Sequence, residues 1–249
     1  MLRKYLLSVL LTFCAAGALG ADLRVGVSAD YPPLVFKQEG HIVGIEPDNA
    51  RTVGSIIGHK MTLVDMPFEK LIPALQAGEI DVIMSGMSVT DARSEQVLFT
   101  DPYMEMGQMA ITTTDKVGHF SQSWALYREG VRVGVEPGTT GAEFAASELK
   151  DAQIKFFTNS SAAFAGLRNN EIDLYIHDAP TSWQLATSKE NDDLISLYTP
   201  LTHEALAWAV RKGDVRLAGE LNTALHTMKG NGTLRYILNR WIPVTVEVH

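Results

Sequence analysis

Apolar positions along the chain fall into short runs suited to strands and longer runs of helical spacing, in regular alternation. Leu23–Ser28 is an apolar run that enters a stiff polar loop, Tyr31-Pro32-Pro33, and predicts a first strand. Helical spacing covers about residues 48–57 and stops at Gly58, a residue that suits a helix C-terminus. A strand is predicted over 61–65, a helix over 69–77 closed by Gly78, and a short buried strand over 82–84. Thr90 before Asp91-Ala92-Arg93 has the form of an N-cap and helix start. An extended run from about 103 to 112 then leaves this unit. From Val131 the alternation restarts: strand 131–135, helix 140–149, strand 153–157, helix 161–168, strand 172–176, helix 180–188. Ala205–Val210 predicts one more strand. Helices over 214–229 and 231–240 follow, split by Gly230-Asn231-Gly232. Such alternation predicts an α/β chain with parallel sheets built from βαβ units.

The pattern is written twice. Leu23-Arg24-Val25-Gly26-Val27 returns as Val131-Arg132-Val133-Gly134-Val135. Leu75-Gln76-Ala77-Gly78-Glu79-Ile80-Asp81 returns as Leu167-Arg168-Asn169-Asn170-Glu171-Ile172-Asp173, each time followed by an apolar strand. What differs is the polar residue at the strand ends: Ser28 against Glu136, and Ser85-Gly86 against His177-Asp178. Ligands of open α/β sheets bind at the carboxyl ends of strands. Two lobes facing each other therefore bring these four ends around one cleft. No echo of the first unit follows residue 200, so the carboxyl-terminal segment is expected to cross back. This gives a first lobe of residues 21–104 plus 206–249 and a second lobe of residues 108–202. The hinge strands are then 103–107 and 202–206, and they let the lobes close.

Residues 1–20 have the form of a cleavable signal peptide. Arg3 and Lys4 precede an apolar stretch too short to span a bilayer, and Ala18-Leu19-Gly20 offers small residues for cleavage before Ala21. The protein is thus expected in the periplasm. Cys14, the only cysteine, falls in this segment, so the mature chain has no disulfide, thiol nucleophile or thiolate metal site. Lipid attachment at Cys14 is the alternative, but Phe13 stands where that signal wants a small residue. Removing Arg3 and Lys4 from the 21 basic residues leaves 19 against 29 acidic ones, a net charge of −10. With no basic run, nucleic acid and anionic membranes are poor partners. The seven histidines are scattered without metal-ligand spacing, so no metal or cofactor is expected.

Arg93 is the leading candidate for chemistry. It follows a small polar loop, Ser85-Gly86-Met87-Ser88-Val89-Thr90, and a helix start with free backbone N–H groups. A guanidinium there can grip a carboxylate with two parallel hydrogen bonds, or it can be a solvated surface residue. Asp178 sits at the matching place of the second copy. It can hold an ammonium group, or it can cap the helix near Pro180. His177 beside it suits a structural hydrogen bond as well as a site.

These segments resemble the extracytoplasmic amino-acid-binding proteins of ABC importers, solute-binding protein family 3, such as the glutamine-, histidine- and lysine/arginine/ornithine-binding proteins. The resemblance rests on Tyr31-Pro32-Pro33, the stretch Phe68 to Leu75, Gly78 to Asp81, Ser85 to Arg93, Phe99 to Tyr103, Gly138-Thr139-Thr140, His177-Asp178 and Gly230 to Leu234. It implies a two-lobed periplasmic-binding-protein fold of type II, each lobe a mixed, mostly parallel sheet flanked by helices. It implies that the protein carries a small α-amino acid to the importer's membrane subunits, as a monomer and without a cofactor. In that likeness Arg93 takes the ligand carboxylate, with Ser88, Thr139 and Thr140 assisting from hydroxyl or backbone groups. Asp178 and the Gly86 carbonyl take the ammonium, and Ser85 belongs to the same loop. Tyr31 and Phe68 cover the ligand, although both also suit a core. Ser28, Glu136 and His177 surround its side chain. Relatives that select polar or basic amino acids often carry an acid where Ser28 stands. Glu136 is then the residue that favours a donor or cation, unless it points to solvent.

Two other classes compete. A cyclohexadienyl or arogenate dehydratase resembles the same family, with a catalytic acid shortly after the Pro-Gly-x-Thr loop. Here that position is Ala142, with Glu143 one place and about 100° of helix away. The expectation is therefore no catalytic residue. A sensor domain of a membrane kinase would need a membrane span or signalling domain after residue 240, and the sequence gives neither.

Overall fold

The repeated stretches build the same structural unit twice. The computed structural model describes residues 20–185, 188–197 and 199–242. The segment expected to be a signal peptide, with Cys14, lies outside these residues, except Gly20, which opens the first strand. The end of the helix expected at 188 also falls partly outside them.

In chain order, β1 (Gly20–Val27) precedes a small antiparallel sheet of β2 (Asp30–Tyr31), β3 (Val35–Gln38) and β4 (His41–Val43). Then come α1 (Ile45–Ile57), β5 (His59–Asp65), a 3-10 turn at Phe68–Lys70 and α2 (Leu71–Ala77). β6 (Val82–Ile83), the short α3 (Asp91–Ser94) and β7 (Val97–Phe99) follow. β8 (Met104–Met106) leads across to β9 (Gln108–Thr113). The second unit holds β10 (Arg132–Val135), α4 (Thr140–Glu148), β11 (Gln153–Phe156) and α5 (Ser160–Arg168). It continues through β12 (Leu174–Asp178), α6 (Ala179–Leu185) and β13 (Leu194–Ser196). β14 (Glu204–Leu206) returns to β15 (Ala209–Arg211), and α7 (Val215–Gly230) and α8 (Thr233–Trp241) end the described chain.

The two main sheets share one plan. Their orders are β5-β1-β6-β15-β7 and β11-β10-β12-β9-β13. In each, four strands run one way and the fourth in order runs against them. That reversed strand, β15 or β9, is the one that enters from the crossing. The crossing is itself a two-stranded antiparallel sheet in which Met106 faces Glu204 and Met104 faces Leu206 of β14.

The repeated Arg and Asp explain the repeated unit. The backbone N–H and Nε of Arg24 donate to Asp81 Oδ2 and its Nη2 to Oδ1, all at 2.9 Å, while the Asp81 N–H returns a bond to the Arg24 carbonyl at 2.8 Å. Arg132 and Asp173 repeat this arrangement, again with a 2.8 Å bond from the Asp N–H to the Arg carbonyl. Each pair fastens the second strand of its sheet, β1 or β10, to the turn before the central strand, β6 or β12. Among the described residues four sets of apolar side chains pack against the sheets, two of them beside the repeated strands β1 and β10. Val25 and Val27 pack with Leu221, Leu225 and Ile237 of α7 and α8, and Val133 and Val135 pack with Leu174 and Ile176.

The structure departs from the sequence reading in a few places. α1 starts at Ile45, three residues before the expected start, with Pro47 in its first turn, where proline is tolerated. Its early N–H groups bond to the carbonyls of Pro33 and Leu34 rather than to a capping side chain, so local sequence carried no start signal. The apolar run 205–210 is two strands, β14 and β15, because the chain passes there from the crossing into the first sheet. β7 was not foreseen.

Candidate functional site

All the residues nominated from sequence except Ser85 line a single cleft between the two units, joined by Asp30 and Gln108. The two walls close on each other and leave about 30 Å³ of free space between them, partly open to solvent. Ser85 lies just behind it: the side chain is buried, and its Oγ accepts the Ser28 N–H at 2.9 Å. Its role here is to tie together the ends of β1 and β6.

Arg93 is buried at the start of α3, where the Thr90 hydroxyl caps the helix by accepting the Arg93 N–H at 3.2 Å. Its guanidinium donates to the Ser88 carbonyl at 2.8 Å and, across the cleft, to the Gly138 carbonyl at 3.0 Å. It also lies 5.5 Å from the centre of the Phe68 ring. Phe68 is half-buried and packs on Leu71 and Ile83, so it serves both core and cleft. Burial pulls the Arg93 pKa down, against the attraction of Glu143, Asp178 and Glu204. A guanidinium nonetheless stays charged in proteins.

Asp178 ends β12 on the opposite wall. It accepts hydrogen bonds from the Tyr31 hydroxyl of the first unit and from the Gln108 amide. Burial pushes its carboxyl pKa up from the ordinary value, with Glu204 adding to the push, while His177, Tyr31 and Gln108 oppose it. An ammonium group placed beside it therefore meets a carboxylate in want of a counter-charge.

The hydroxyls of Thr139 and Thr140 are committed inside the protein. Thr139 Oγ1 caps α4 by accepting the Ala142 N–H at 3.2 Å and donates to the Glu136 carbonyl at 2.8 Å. Thr140 Oγ1 donates to Glu204 at 2.7 Å and accepts from Gln108 at 3.0 Å. What the start of α4 offers the cleft is its unpaired backbone N–H groups rather than hydroxyls.

Glu136 does not point to solvent. Its Oε1 accepts from the Tyr175 hydroxyl at 2.5 Å and from Ser160 at 3.3 Å, and it lies 3.6 Å from His177 Nε2. His177 stacks edge-on with Tyr31, ring centres 4.9 Å apart, and its Nδ1 pairs with the Thr181 hydroxyl at 2.9 Å. On the facing wall the Ser28 hydroxyl donates to Asp30 at 3.0 Å. This end of the cleft thus presents Asp30 and Glu136 together.

Sequence reasoning missed Asp30, Gln108 and Glu204. Asp30 directly precedes the nominated Tyr31 and was within reach of a local argument. Gln108 opens β9 just beyond the crossing and Glu204 opens the crossing strand β14, and nothing local marks them. Among the described residues no group of three or more His, Cys, Asp or Glu side chains has the arrangement of a metal site.

Two α/β lobes on one plan, two crossing strands and a charged cleft between them define a two-lobed solute-binding architecture. The family model of bacterial extracellular solute-binding proteins, family 3, matches residues 23–244, and the chain belongs to that family. It is 31% identical over 247 residues to the ABC transporter arginine-binding protein 1 of Escherichia coli (strain K12), covering 97% of this chain and 100% of that protein. Among solved structures it resembles the ancestral amino acid-binding protein AncCDT-1, a precursor of cyclohexadienyl dehydratase. The two share 34% identity and a TM-score of 0.83, over 89% of this chain and 95% of that one. An ancestral arginine-binding protein bound to arginine is similar at 34% identity and a TM-score of 0.82, over 90% of this chain and 99% of that one. The fold is the type II periplasmic-binding-protein fold, with two lobes of mixed, mostly parallel sheet.

Proposed function

We propose that the cleft binds an α-amino acid with a cationic side chain, and that the protein delivers it to an ABC-type importer from the periplasm. Arg93 takes the carboxylate from the first lobe and Asp178 takes the ammonium from the second, aided by Gly86, Ser88 and the start of α4. Tyr31 and Phe68 enclose the ligand. Once these two charges are matched, Asp30 and Glu136 remain at the far end as two carboxylates against the single imidazole of His177, 3.6 Å from Glu136, while Lys37 beside them is paired with Asp65 at 2.6 Å. That acidic surplus is the observation that carries the choice of a cationic side chain, since charges buried on closure need partners. The arginine-binding relatives agree with it. Residues 103–107 and 202–206 act as the hinge between lobes 21–104 plus 206–249 and 108–202, and the protein works as a monomer.

The reading is of a binding protein rather than an enzyme. Ala142, where a dehydratase-like relative would carry its acid, packs on the second core, and Glu143 is exposed and outside the cleft lining. A thermal-shift and calorimetric screen tests both points. Arginine, lysine or ornithine is expected to bind more tightly than glutamine, and glutamate least. Incubation with arogenate or prephenate is expected to give no aromatic product. Preference for glutamate would overturn the assignment of the side-chain pocket, and product formation would overturn the non-enzymatic reading.

A further inference from the structure

Glu46 is a fully buried carboxylate that lines no part of the cleft. It sits in the first turn of α1 and meets three donors. Its Oε1 accepts the Gly86 N–H at 2.8 Å and the Tyr103 hydroxyl at 2.8 Å, and its Oε2 accepts the Trp208 indole N–H at 3.0 Å. The three donors come from three functional places. Gly86 belongs to the loop that carries the cleft groups of the first lobe. Tyr103 is the residue before the first crossing strand, and Trp208 lies between the second crossing strand and β15. The rings of Tyr103 and Trp208 stack on each other, centres 5.6 Å apart. One carboxylate thus joins the binding loop to both strands on which the lobes turn.

At Gly86 the consequence is conformational. Its φ of +64° lies in the left-handed region, and a Cβ there would sit 2.5 Å from Leu34 and 2.8 Å from Tyr31. The peptide that precedes this turn is held by the bond to Glu46. The Met87 carbonyl after it is held by the Ala207 N–H at 3.1 Å. With both flanks fixed, the direction of the Gly86 carbonyl is set. A buried charge costs several kcal/mol unless its lone pairs are met, and an apolar side chain would avoid that cost. Burial indeed pushes the Glu46 pKa up, against its donors. A purely structural α1 would gain from an apolar residue here, whereas a binding loop gains a fixed acceptor.

We propose that Glu46 is a positioning residue: its bond to the Gly86 N–H aims the Gly86 carbonyl at the ligand's α-ammonium, while its bonds to Tyr103 and Trp208 tie α1 to the crossings. This inference rests on the reading that the cleft takes an α-amino acid.

The test compares L-arginine and L-lysine with their α-deamino analogues by calorimetry, in the wild type, Glu46→Gln and Glu46→Asp. The Gln variant removes the charge and sets an amide N–H against one of the donors. The Asp variant keeps the charge but withdraws it from Gly86, and it guards against one replacement failing to fold. Each variant is expected to lose at least about tenfold in affinity for the amino acid while the deamino analogue changes by less than about twofold. Trp208→Phe, which leaves the Gly86 bond in place, is expected to lower the unfolding temperature without altering that discrimination. Equal loss for both ligand types, or unchanged discrimination in Glu46→Gln and Glu46→Asp, would overturn the proposal. If the wild type itself binds no amino acid, the reading of the cleft fails instead.

Discussion

Arg93 and Asp178 owe their positions to adjacent local structure, which is why they were legible in the sequence. Arg93 follows a capped helix start and Asp178 ends a buried strand. Gln108, Glu204 and Glu46 matter only through contacts with residues distant in sequence, and no pattern of neighbours announces them. Arg93→Ala is expected to weaken ligand binding by about 2–5 kcal/mol, because the ligand carboxylate is left without its partner. Calorimetry on the folded variant checks this, and affinity near that of the wild type would remove Arg93 from the site. Asp178 sets a pH dependence. Its pKa is raised in the protein, and a ligand ammonium favours the ionised form. Binding therefore releases a proton wherever Asp178 starts protonated, and affinity falls as the pH is lowered through its raised pKa. Titrations between about pH 7 and pH 4, where carboxylates of raised pKa take up protons, are expected to show this decline. Affinity unchanged over that range would contradict it.

Strands and helices were legible wherever apolar spacing was strong, and the duplicated Arg and Asp gave the plan of each lobe. The start of α1, the split between β14 and β15, and β7 were not, because each depends on what the chain meets in space. The duplicated ion pairs make a test at this scale. Burial works against the charge of Asp173, but Arg132 and Lys116 overcome it and hold the carboxyl well below the usual range. A depressed pKa gives stability that is present above the unfolded value, about 3.9 for Asp, and is lost as the pH falls through the folded one. Asp173→Asn is therefore expected to cost about 1 kcal/mol at neutral pH, a modest figure because the pair is partly exposed. The difference from the wild type should shrink toward about pH 3, where the carboxyl of the unfolded chain takes up a proton while the folded one stays ionised. Urea unfolding at the two pH values checks it. Gly107, between β8 and β9, is packed against the Thr202 carbonyl of the returning segment, and a Cβ there would overlap that oxygen. Gly107→Ala is expected to push the crossings apart and weaken ligand binding, with the cleft residues themselves unchanged.

At the scale of the whole molecule, the chain passes between its lobes twice, and the cleft draws its charges from both. A ligand held by Arg93 on one side and Asp178 on the other binds the closed form better than the open one, and so shifts the population toward closure. Small-angle scattering is expected to show a smaller radius of gyration with arginine or lysine in the wild type and no change in Arg93→Ala. The same ligand at a hundred times its Kd is expected to stabilise the fold by about 2.7 kcal/mol. The most direct measurement is a crystal structure with a cationic amino acid bound. The account predicts its carboxylate on Arg93, its ammonium on Asp178 and the Gly86 carbonyl, and its side-chain cation toward Glu136 and Asp30. A ligand lying elsewhere, or bound in the cleft without touching Arg93 and Asp178 together, would contradict it.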